Sequence, residues 1–308
     1  MTTASRLSIN GVSIPVAQAG FADGAEAVVF IHGNSGAIAD WLPFLEPVGT
    51  FTRAVAFDLP GYGEADKPSG FDYTVAGYAE FIDATLKALG ISNAHIVAHD
   101  LGGGWAMRWA ADHPEQFASA ILINTGVLLD YEWHDAAKLW RQPGVGEAIQ
   151  AGMTRELFHE VVSAQNPRLG PAALQALWQQ TDDPGTNHAV LQFYRATSEA
   201  TLAEPQAVLR GLDRPALVIW GEDDAYIPVG QAPLQRESFP SAQVVVLPDA
   251  GHWVTLEDPD TVRALIVPFL RQHVGVVGPS AESSMNADSH NGFRDDRVPP
   301  VLRETDAR

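Results

Sequence analysis

The chain of 308 residues contains no cysteine and no long apolar run. Without cysteine it can form neither disulfide bonds nor thiolate metal sites, a composition that fits a cytoplasmic protein. No stretch reaches the roughly 18 consecutive apolar residues that a transmembrane helix requires. Residues 1–6 lack the charged and apolar regions of a secretory signal peptide. We therefore expect a cytoplasmic protein without a membrane partner.

Lysine and arginine are also scarce, with 19 basic residues against 38 acidic ones and a formal net charge of −19. Such a surface repels nucleic acid and anionic membranes, so neither is an expected partner. The expected partners are water and a small, neutral, apolar organic substrate. The sequence contains neither metal-ligand spacing nor a phosphate-binding loop, so no metal and no cofactor are expected. These patterns do not determine the oligomeric state.

Short β-branched and aromatic runs alternate with helical patterns along most of the chain. Asn10-Gly11 separates the first two runs and is a strong hairpin signal. The later runs alternate with helices such as residues 75–89 and 259–271, which predicts an α/β fold with a mostly parallel sheet covered by helices on both faces. The predicted strands are residues 6–9, 12–19, 27–31, 52–57, 94–98, 118–123, 216–220 and 243–247.

The interval 130–211 breaks this alternation, because it holds several helical segments and no convincing strand. A helical insertion between two sheet strands predicts a cap over the carboxyl ends of the strands, where open α/β sheets bind ligands. The sequence therefore predicts a core domain in two parts, residues 1–129 and 212–274, interrupted by a helical cap, residues 130–211. Residues 275–308 are polar and poor in large apolar side chains, so we expect a disordered tail there.

Asp100 lies in the tight turn between a predicted strand and a predicted helix. The surrounding sequence, Ala98-His99-Asp100-Leu101-Gly102, has small residues on both sides, as in the nucleophile elbow G-x-S-x-G. A serine at this point attacks carbonyl carbon, whereas a carboxylate can displace a leaving group from saturated carbon and form an alkyl-enzyme ester. Asp100 is therefore the predicted nucleophile, and a serine-type esterase is a poor fit.

Hydrolysis of an alkyl-enzyme ester requires a base that activates water and an acid that orients the base. His252 follows the last predicted strand and Asp224 follows the strand before it, in the chain order nucleophile, acid, histidine that this elbow fold uses. Asn124, after the preceding core strand, is uncharged and cannot be that acid. The backbone N–H groups of Leu101 and Asn34 are the expected oxyanion donors.

The motifs occur in the order typical of one fold family. Residues 26–274 resemble the α/β-hydrolase fold, on the strength of His32-Gly33, Asp58-Leu59-Pro60-Gly61-Tyr62-Gly63, the Asp100 turn, Asp224 and Gly251-His252-Trp253. The pair His99-Asp100 resembles the branch that contains epoxide hydrolases, haloalkane dehalogenases and fluoroacetate dehalogenases. The resemblance implies a hydrolase with an Asp nucleophile, a catalytic triad and a helical cap.

Within this branch, the resemblance to epoxide hydrolases implies two cap tyrosines that donate to the oxygen of the epoxide ring. The surroundings of Tyr194 resemble those of the second tyrosine, so Tyr194 is an expected donor. By the same resemblance, Ala136 stands where the first tyrosine would be. Tyr131 and His134 are the candidate replacements, since both lie within about a turn and a half if this segment is helical.

The resemblance to dehalogenases implies other donors. Haloalkane dehalogenases hold the departing halide with a tryptophan after the nucleophile and a second donor; Asn34 matches the second donor, but Leu101 replaces the tryptophan. Fluoroacetate dehalogenases carry an arginine at the Leu101 position. We therefore expect hydrolysis of an epoxide to a diol, with haloalkane or haloacid dehalogenation as the alternative. An alternative of another class is a non-catalytic small-ligand-binding protein, against which Asp224 and His252 argue.

Overall fold

One sheet of eight strands forms the centre of the computed structural model, which describes residues 1–275. Its strands are β1 (Thr3–Ile9), β2 (Val12–Ala19), β3 (Glu26–Ile31), β4 (Arg53–Phe57), β5 (Asn93–His99), β6 (Phe117–Ile123), β7 (Ala216–Gly221) and β8 (Gln243–Leu247). Their order across the sheet is β1-β2-β4-β3-β5-β6-β7-β8. β2 pairs antiparallel with β1 and β4, and the pairings from β4 to β8 are parallel. The predicted α/β class with a mostly parallel sheet is confirmed.

The first hairpin forms where the sequence predicts it. Asn10 and Gly11 have φ angles of 51° and 83°, and a two-residue type I′ turn requires a positive φ at both central positions. Asparagine and glycine tolerate this left-handed conformation better than other residues do. The turn pairs Ile9 with Val12 and so sets the register of β1 against β2.

Alternate side chains of the central strands enter two hydrophobic cores, one on each face of the sheet. In β3, Val29 and Ile31 belong to one core, whereas Val28 and Phe30 belong to the other. This division arises because successive residues of a strand point to opposite faces. A strand that is buried on both faces has to be apolar throughout, which explains the continuous apolar run in the sequence.

Helices cover both faces of this sheet. Several helices lie in the stretch of chain between β6 and β7, which we call the β6–β7 interval. The α-helices outside this interval are α1 (Leu42–Gly49), α2 (Val75–Ala88), α3 (Leu101–Asp112), α11 (Gln231–Leu234), α12 (Val254–Glu257) and α13 (Pro259–His273). Helices α2 and α3 contribute Tyr78 and Trp105 to one core, and these two rings stack with their centroids 4.1 Å apart. Helices α1 and α13 contribute Phe44 and Phe269 to the other core.

Between β6 and β7, the described chain forms seven helices and no strand. They are α4 (Asp135–Trp140), α5 (Val145–Gly152), α6 (Arg155–Gln165), α7 (Pro171–Thr181), α8 (Pro184–Ala196), α9 (Glu199–Ala203) and α10 (Gln206–Leu212). Phe158, Val162 and Leu177 from this interval pack with Trp253, which follows β8, in a third hydrophobic cluster. The helical segment therefore contacts the loop that carries His252. The boundaries of the core and cap domains stay a prediction.

Met1–Gly275 forms one compact unit. Within this unit, no helix has both the length and the apolar composition that crossing a membrane requires. The predicted disordered tail, residues 275–308, lies outside the described residues except for Gly275.

Candidate active site

Asp100 lies at the carboxyl end of β5, where the chain turns sharply into α3. Its backbone has φ 49° and ψ −133°, a conformation that costs a non-glycine residue free energy. Two glycines allow the neighbouring chain to approach closely. A Cβ at Gly33 would lie 2.5 Å from Asp100 Oδ2, and a Cβ at Gly102 would lie 2.8 Å from the carbonyl oxygen of Ile31. The tight turn thus holds a buried carboxylate at the carboxyl edge of the sheet.

His252 lies between two carboxylates in the interior of the protein. Its Nδ1 is 2.9 Å from Asp224 Oδ2, and its Nε2 is 3.5 Å from Asp100 Oδ1. All three side chains are buried. Each follows a different parallel strand, β5, β7 or β8. Because the carboxyl ends of these strands lie at one edge of the sheet, the three side chains lie close together. The three residues that the sequence proposes as nucleophile, acid and base are therefore brought together.

Asp224 is held rigidly by donors on several sides. Its Oδ1 accepts the backbone N–H groups of Tyr226 and Ile227 at 2.8 Å and 2.9 Å. The side-chain amide of Asn124 donates to its Oδ2 at 2.8 Å. Burial would raise the pKa of this carboxyl, but the adjacent His252 and these hydrogen bonds outweigh burial and lower it. Asp224 is thus ionised at neutral pH and fixes the orientation of the His252 ring.

The two carboxylates determine the charge of His252. Burial of the imidazole lowers its pKa, but Asp224 and Asp100 together outweigh burial and raise the pKa to about 10. In return, hydrogen bonding to His252 lowers the pKa of Asp100 despite the burial of that carboxyl. The free site at neutral pH therefore contains an imidazolium between two carboxylates. Asp100 is in the ionised form that a nucleophile requires.

The two expected oxyanion donors both act on the Asp100 carboxylate. The backbone N–H of Asn34 donates to Asp100 Oδ2 at 2.7 Å. The backbone N–H of Leu101 also interacts with this carboxylate and helps to lower its pKa. His32 holds the loop that carries Asn34, since its Nε2 accepts the backbone N–H of Leu59 at 3.0 Å. The Asn34 N–H lies where a developing negative charge on Asp100 Oδ2 would be stabilised, and the Leu101 N–H favours the ionised form of the same carboxyl.

A cavity of about 290 Å³ opens onto Asp100 and His252. We call it the large cavity. It lies between the loop after β3 and the helices of the β6–β7 interval, and none of the described residues that line it is lysine or arginine. The large aromatic and aliphatic side chains of its wall are Trp140, Ile149, Met153, Phe158, Val161, Val162, Trp178, Val190, Tyr194, Tyr226 and Trp253. This wall suits an apolar organic molecule.

Of the three candidate donors in this interval, Tyr194 and His134 line the large cavity together with Asp100. Burial and the charge of Asp100 hold the pKa of the Tyr194 hydroxyl well above its usual range. Burial lowers the pKa of His134 to about 4, so its ring is neutral at pH 7. His134 Nδ1 accepts the backbone N–H of Ala137 at 3.3 Å at the start of α4. The ring proton is therefore on Nε2, which makes His134 a donor.

Tyr131 differs from the other two candidates. Its hydroxyl donates to the carbonyl oxygen of Tyr226 at 3.2 Å. It lines a second, small cavity of about 20 Å³, which also borders Asp100, His134 and Tyr194. Because its hydroxyl proton is already engaged, Tyr131 is less suited than His134 to donate to a substrate.

Three residues of the site carry no role in the sequence reasoning. Trp133 lines the small cavity, and its buried Nε1 has no hydrogen-bond acceptor among the residues that the structure describes. The ring of Tyr226 packs 5.0 Å from that of His252. Asn166 hydrogen-bonds the backbone of His252. Trp133 and Tyr226 adjoin residues that the sequence does single out, but Asn166 is 86 residues from its partner and the sequence gives no signal for it.

Comparison with known proteins agrees with this fold. A family model described as the alpha/beta hydrolase family matches residues 28–265. The dihydrolipoyllysine-residue acetyltransferase component of the acetoin cleaving system of Cupriavidus necator is 30% identical over 290 residues, which cover 87% of this chain and 68% of that protein. The 2-hydroxy-6-oxo-6-phenylhexa-2,4-dienoate hydrolase of Burkholderia cepacia is 25% identical over 259 residues, which cover 80% of this chain and 87% of that protein.

A solved structure shares the same fold. The epoxide hydrolase from Vigna radiata superposes with a TM-score of 0.73 at 20% sequence identity, over 88% of this chain and 98% of that one. At this identity the likeness concerns the fold and not the substrate. The family match runs from β3 into α13 and includes the helices between β6 and β7. The chain therefore belongs to the alpha/beta hydrolase family.

Proposed function

We propose that this protein is a hydrolase that uses Asp100 as its nucleophile to convert an epoxide to a diol. The observation that carries the proposal is the position of the Asp100 carboxylate, between the His252 ring and the backbone N–H of Asn34. A carboxylate so placed forms an ester with saturated carbon, and the neighbouring histidine can then direct water at that ester. The relationship to hydrolases such as the Burkholderia cepacia enzyme supports the hydrolase class.

In the first step, an Asp100 oxygen attacks one carbon of the epoxide and the bond from that carbon to the ring oxygen breaks. The oxygen takes a proton from the Tyr194 hydroxyl, and the Nε2–H of His134 stabilises the developing charge. Donors are needed here because an alkoxide is a poor leaving group. Tyr194 and His134 both border the space above Asp100 and so support this assignment.

In the second step, His252 changes its role because the Asp100 charge has disappeared. Esterification removes one of the two carboxylates that raise the His252 pKa, so burial lowers this pKa again. The imidazolium proton passes through solvent to the Tyr194 phenolate. The neutral His252 then takes a proton from water as the hydroxyl adds to the ester. The bond between the Asp100 carboxyl carbon and the alkyl oxygen then breaks, and this oxygen takes the proton of the added hydroxyl, so the diol leaves. The Asp100 carboxylate and the His252 imidazolium are thereby restored.

The tetrahedral intermediate of the second step carries its negative charge on an oxygen of Asp100. The Asn34 N–H donates to an Asp100 oxygen and the Leu101 N–H helps to lower the Asp100 pKa, which supports both as donors to this oxygen; one such donor is worth about 3 to 4 kcal/mol of barrier. The wall of the large cavity supports a neutral, apolar epoxide, since none of the described residues that line it is lysine or arginine and the His252 charge is already paired with Asp100 and Asp224.

The variant His252→Gln tests the proposal directly. Ester formation needs Asp100 and the donors but not the base, so incubation with neutral epoxides should leave the ester trapped. Peptide mass spectrometry should find the mass of the epoxide added to the peptide that contains Asp100. The double variant that also carries Asp100→Asn is the control and should stay unmodified. Unmodified Asp100 in His252→Gln, across a range of neutral epoxides, would contradict the proposal.

Dehalogenation is the second candidate, and the small cavity favours it. A departing halide needs N–H donors, and Leu101 supplies no side-chain donor. Trp133 offers a buried Nε1–H with no acceptor among the described residues, next to Asp100, His134 and Tyr194. Halide release from haloalkanes, with no diol from epoxides, would replace the first proposal by the second. Trp133→Phe should then abolish halide release, whereas it should leave diol formation nearly unchanged if epoxides are the substrate.

A further inference from the structure

Asn166 joins the helical β6–β7 interval to the backbone of the proposed base. It follows the last residue of α6 and is completely buried, with 0% of its surface exposed. Its Oδ1 accepts the backbone N–H of His252 at 2.8 Å, and its Nδ2 donates to the carbonyl oxygen of Val162 at 3.1 Å. Both ends of the amide are thus used, one by α6 and one by His252.

The contact is close enough to fix the position of the His252 loop. A Cβ at Gly251 would overlap with Asn166 Oδ1, so the amide occupies the space that the glycine leaves open. The backbone N–H of Gly251 donates to Glu257 Oε2 at 2.8 Å, and the carbonyl oxygen of His252 is 2.9 Å from His99 Nε2. Burial lowers the His99 pKa to about 4, so this ring is neutral and donates from Nε2.

These backbone partners come from different parts of the fold. His99 lies in strand β5 and Glu257 in helix α12, both outside the β6–β7 interval, whereas Asn166 lies inside it. Without Asn166, the buried N–H of His252 would lose its acceptor, which costs more free energy than an ordinary hydrogen bond contributes. The loop would then have to move to satisfy this N–H, and the imidazole would move with it.

Helix α6 also forms part of the wall of the large cavity. Phe158, Val162 and Gln165 all line it, and Gln165 Oε1 accepts the Tyr226 hydroxyl at 2.7 Å. The same helix therefore contacts the substrate space through its side chains and the base through the residue at its end. A displacement of α6 would be transmitted to His252 by Asn166.

We propose that Asn166 is a positioning residue that aligns His252 for attack of water on the ester. Through Asn166, this alignment depends on the position of α6. The proposal rests on the function proposed above. It concerns the second step alone, because attack by Asp100 on the substrate does not require an aligned base. Asn166 itself touches neither Asp100 nor the reacting atoms.

Single-turnover kinetics with a neutral epoxide separate the two steps. In Asn166→Leu, which removes the acceptor, ester hydrolysis should slow by at least about tenfold while ester formation stays within about threefold, so the ester accumulates. Ser163→Ala is the matched control on the same helix, since its hydroxyl bonds only within α6, and both rates should be unchanged.

Equal losses in both steps for Asn166→Leu would mean that Asn166 is merely structural and would overturn the proposal. Unchanged hydrolysis in Asn166→Leu would overturn it as well. A wild-type protein that forms no ester with any epoxide would instead count against the proposed function. In that case, the role of Asn166 can still be tested without substrate, by the ring Nδ1–H signal of His252 in the NMR spectrum of the free protein. This signal should shift in Asn166→Leu and not in Ser163→Ala, and an unshifted signal would overturn the proposal.

Discussion

At the scale of single residues, the charge of one carboxylate decides what its neighbour can do. While Asp100 is ionised, it and Asp224 together raise the His252 pKa to about 10. A protonated imidazole cannot act as a base. In the proposed mechanism Asp100 becomes an ester, that contribution disappears and His252 becomes available as a base. The proposed site therefore keeps its water-activating group protonated until an ester exists. An aspartate in the turn is required for this coupling, because a neutral serine hydroxyl would not raise the His252 pKa in this way.

The donors of the helical interval give a prediction at the same scale. Tyr194→Phe and His134→Gln should each slow ester formation, by about 100-fold for Tyr194 because a positioned proton donor contributes at least that much. Ester hydrolysis should change far less, since the ring oxygen is already protonated by then. Stopped-flow measurement of ester formation separates the two steps.

Tyr131→Phe is the matched control for these variants. Its hydroxyl donates to the Tyr226 carbonyl and is not available to a substrate. Ester formation in Tyr131→Phe should therefore stay close to that of the wild-type protein. If Tyr131→Phe loses as much ester formation as Tyr194→Phe and His134→Gln loses none, the second donor is Tyr131 and not His134.

At the scale of elements, the turn from β5 to α3 depends on the absence of side chains where two chain segments meet. Gly102 lies in the first turn of α3 and contacts the backbone at the end of β3. The loop after β3 carries Asn34, so this contact also sets the distance from the oxyanion donor to Asp100. Close packing of main chain on main chain leaves no flexible side chain that could move aside.

Gly102→Ala tests this packing. Its Cβ would lie 2.8 Å from the Ile31 carbonyl oxygen and nearer still to that of His32, so one segment has to move. We expect the free energy of unfolding to fall by about 1 to 3 kcal/mol, with a loss of ester formation. Chemical denaturation measures the first effect and single-turnover kinetics the second.

Gly211→Ala is the control for a glycine that lies in a helix without such a contact. Among the described residues, no heavy atom beyond its chain neighbours and its own helix backbone lies within 4 Å of the position of its Cβ, near the end of α10. The protein should be unchanged or more stable by about 0.5 kcal/mol, because alanine loses less conformational freedom on folding. Equal effects of the two substitutions would show that close packing is not the reason for Gly102.

At the scale of the whole molecule, the ion triad links the stability of the fold to pH. His252 has a folded pKa of about 10, above the ordinary value of 6.5, so its contribution is fully present below about pH 6.5 and is lost as the pH rises through 10. The pKa values of Asp100 and Asp224 are lowered, so their contributions are present above the ordinary value of 3.8 and are lost as the pH falls through the folded values. The triad therefore stabilises the fold most between these limits.

The difference in the free energy of unfolding between the wild-type protein and His252→Gln should follow this dependence. It should be largest near pH 6 and should shrink steadily as the pH rises toward 10, because the wild-type protein loses its imidazolium there. Urea denaturation across that range measures it. A constant difference for His252→Gln would contradict the raised pKa.

Local patterns were sufficient for the sheet because its strands are buried on both faces and its first turn needs special residues. All eight predicted strands are present, with ends that agree within three residues. The positions of Asp100, Asp224 and His252 also follow from the sequence, since each comes directly after a strand of a parallel sheet. The choice between His134 and Tyr131 did not follow, because it depends on the partner that the Tyr131 hydroxyl finds 95 residues away.

The sequence by itself determined that an aspartate would stand at a tight turn after a strand, followed in order by an acid and a histidine at the ends of later strands. These features depend on residue types and on periodicity, which are local. Only the tertiary structure decided the charge of His252, the donors that face Asp100 and the contact between Asn166 and the base. Each of these depends on groups that are distant in the chain and meet in a buried space. Because water is excluded there, the electrostatic interactions and hydrogen bonds between these groups are stronger than they would be in water.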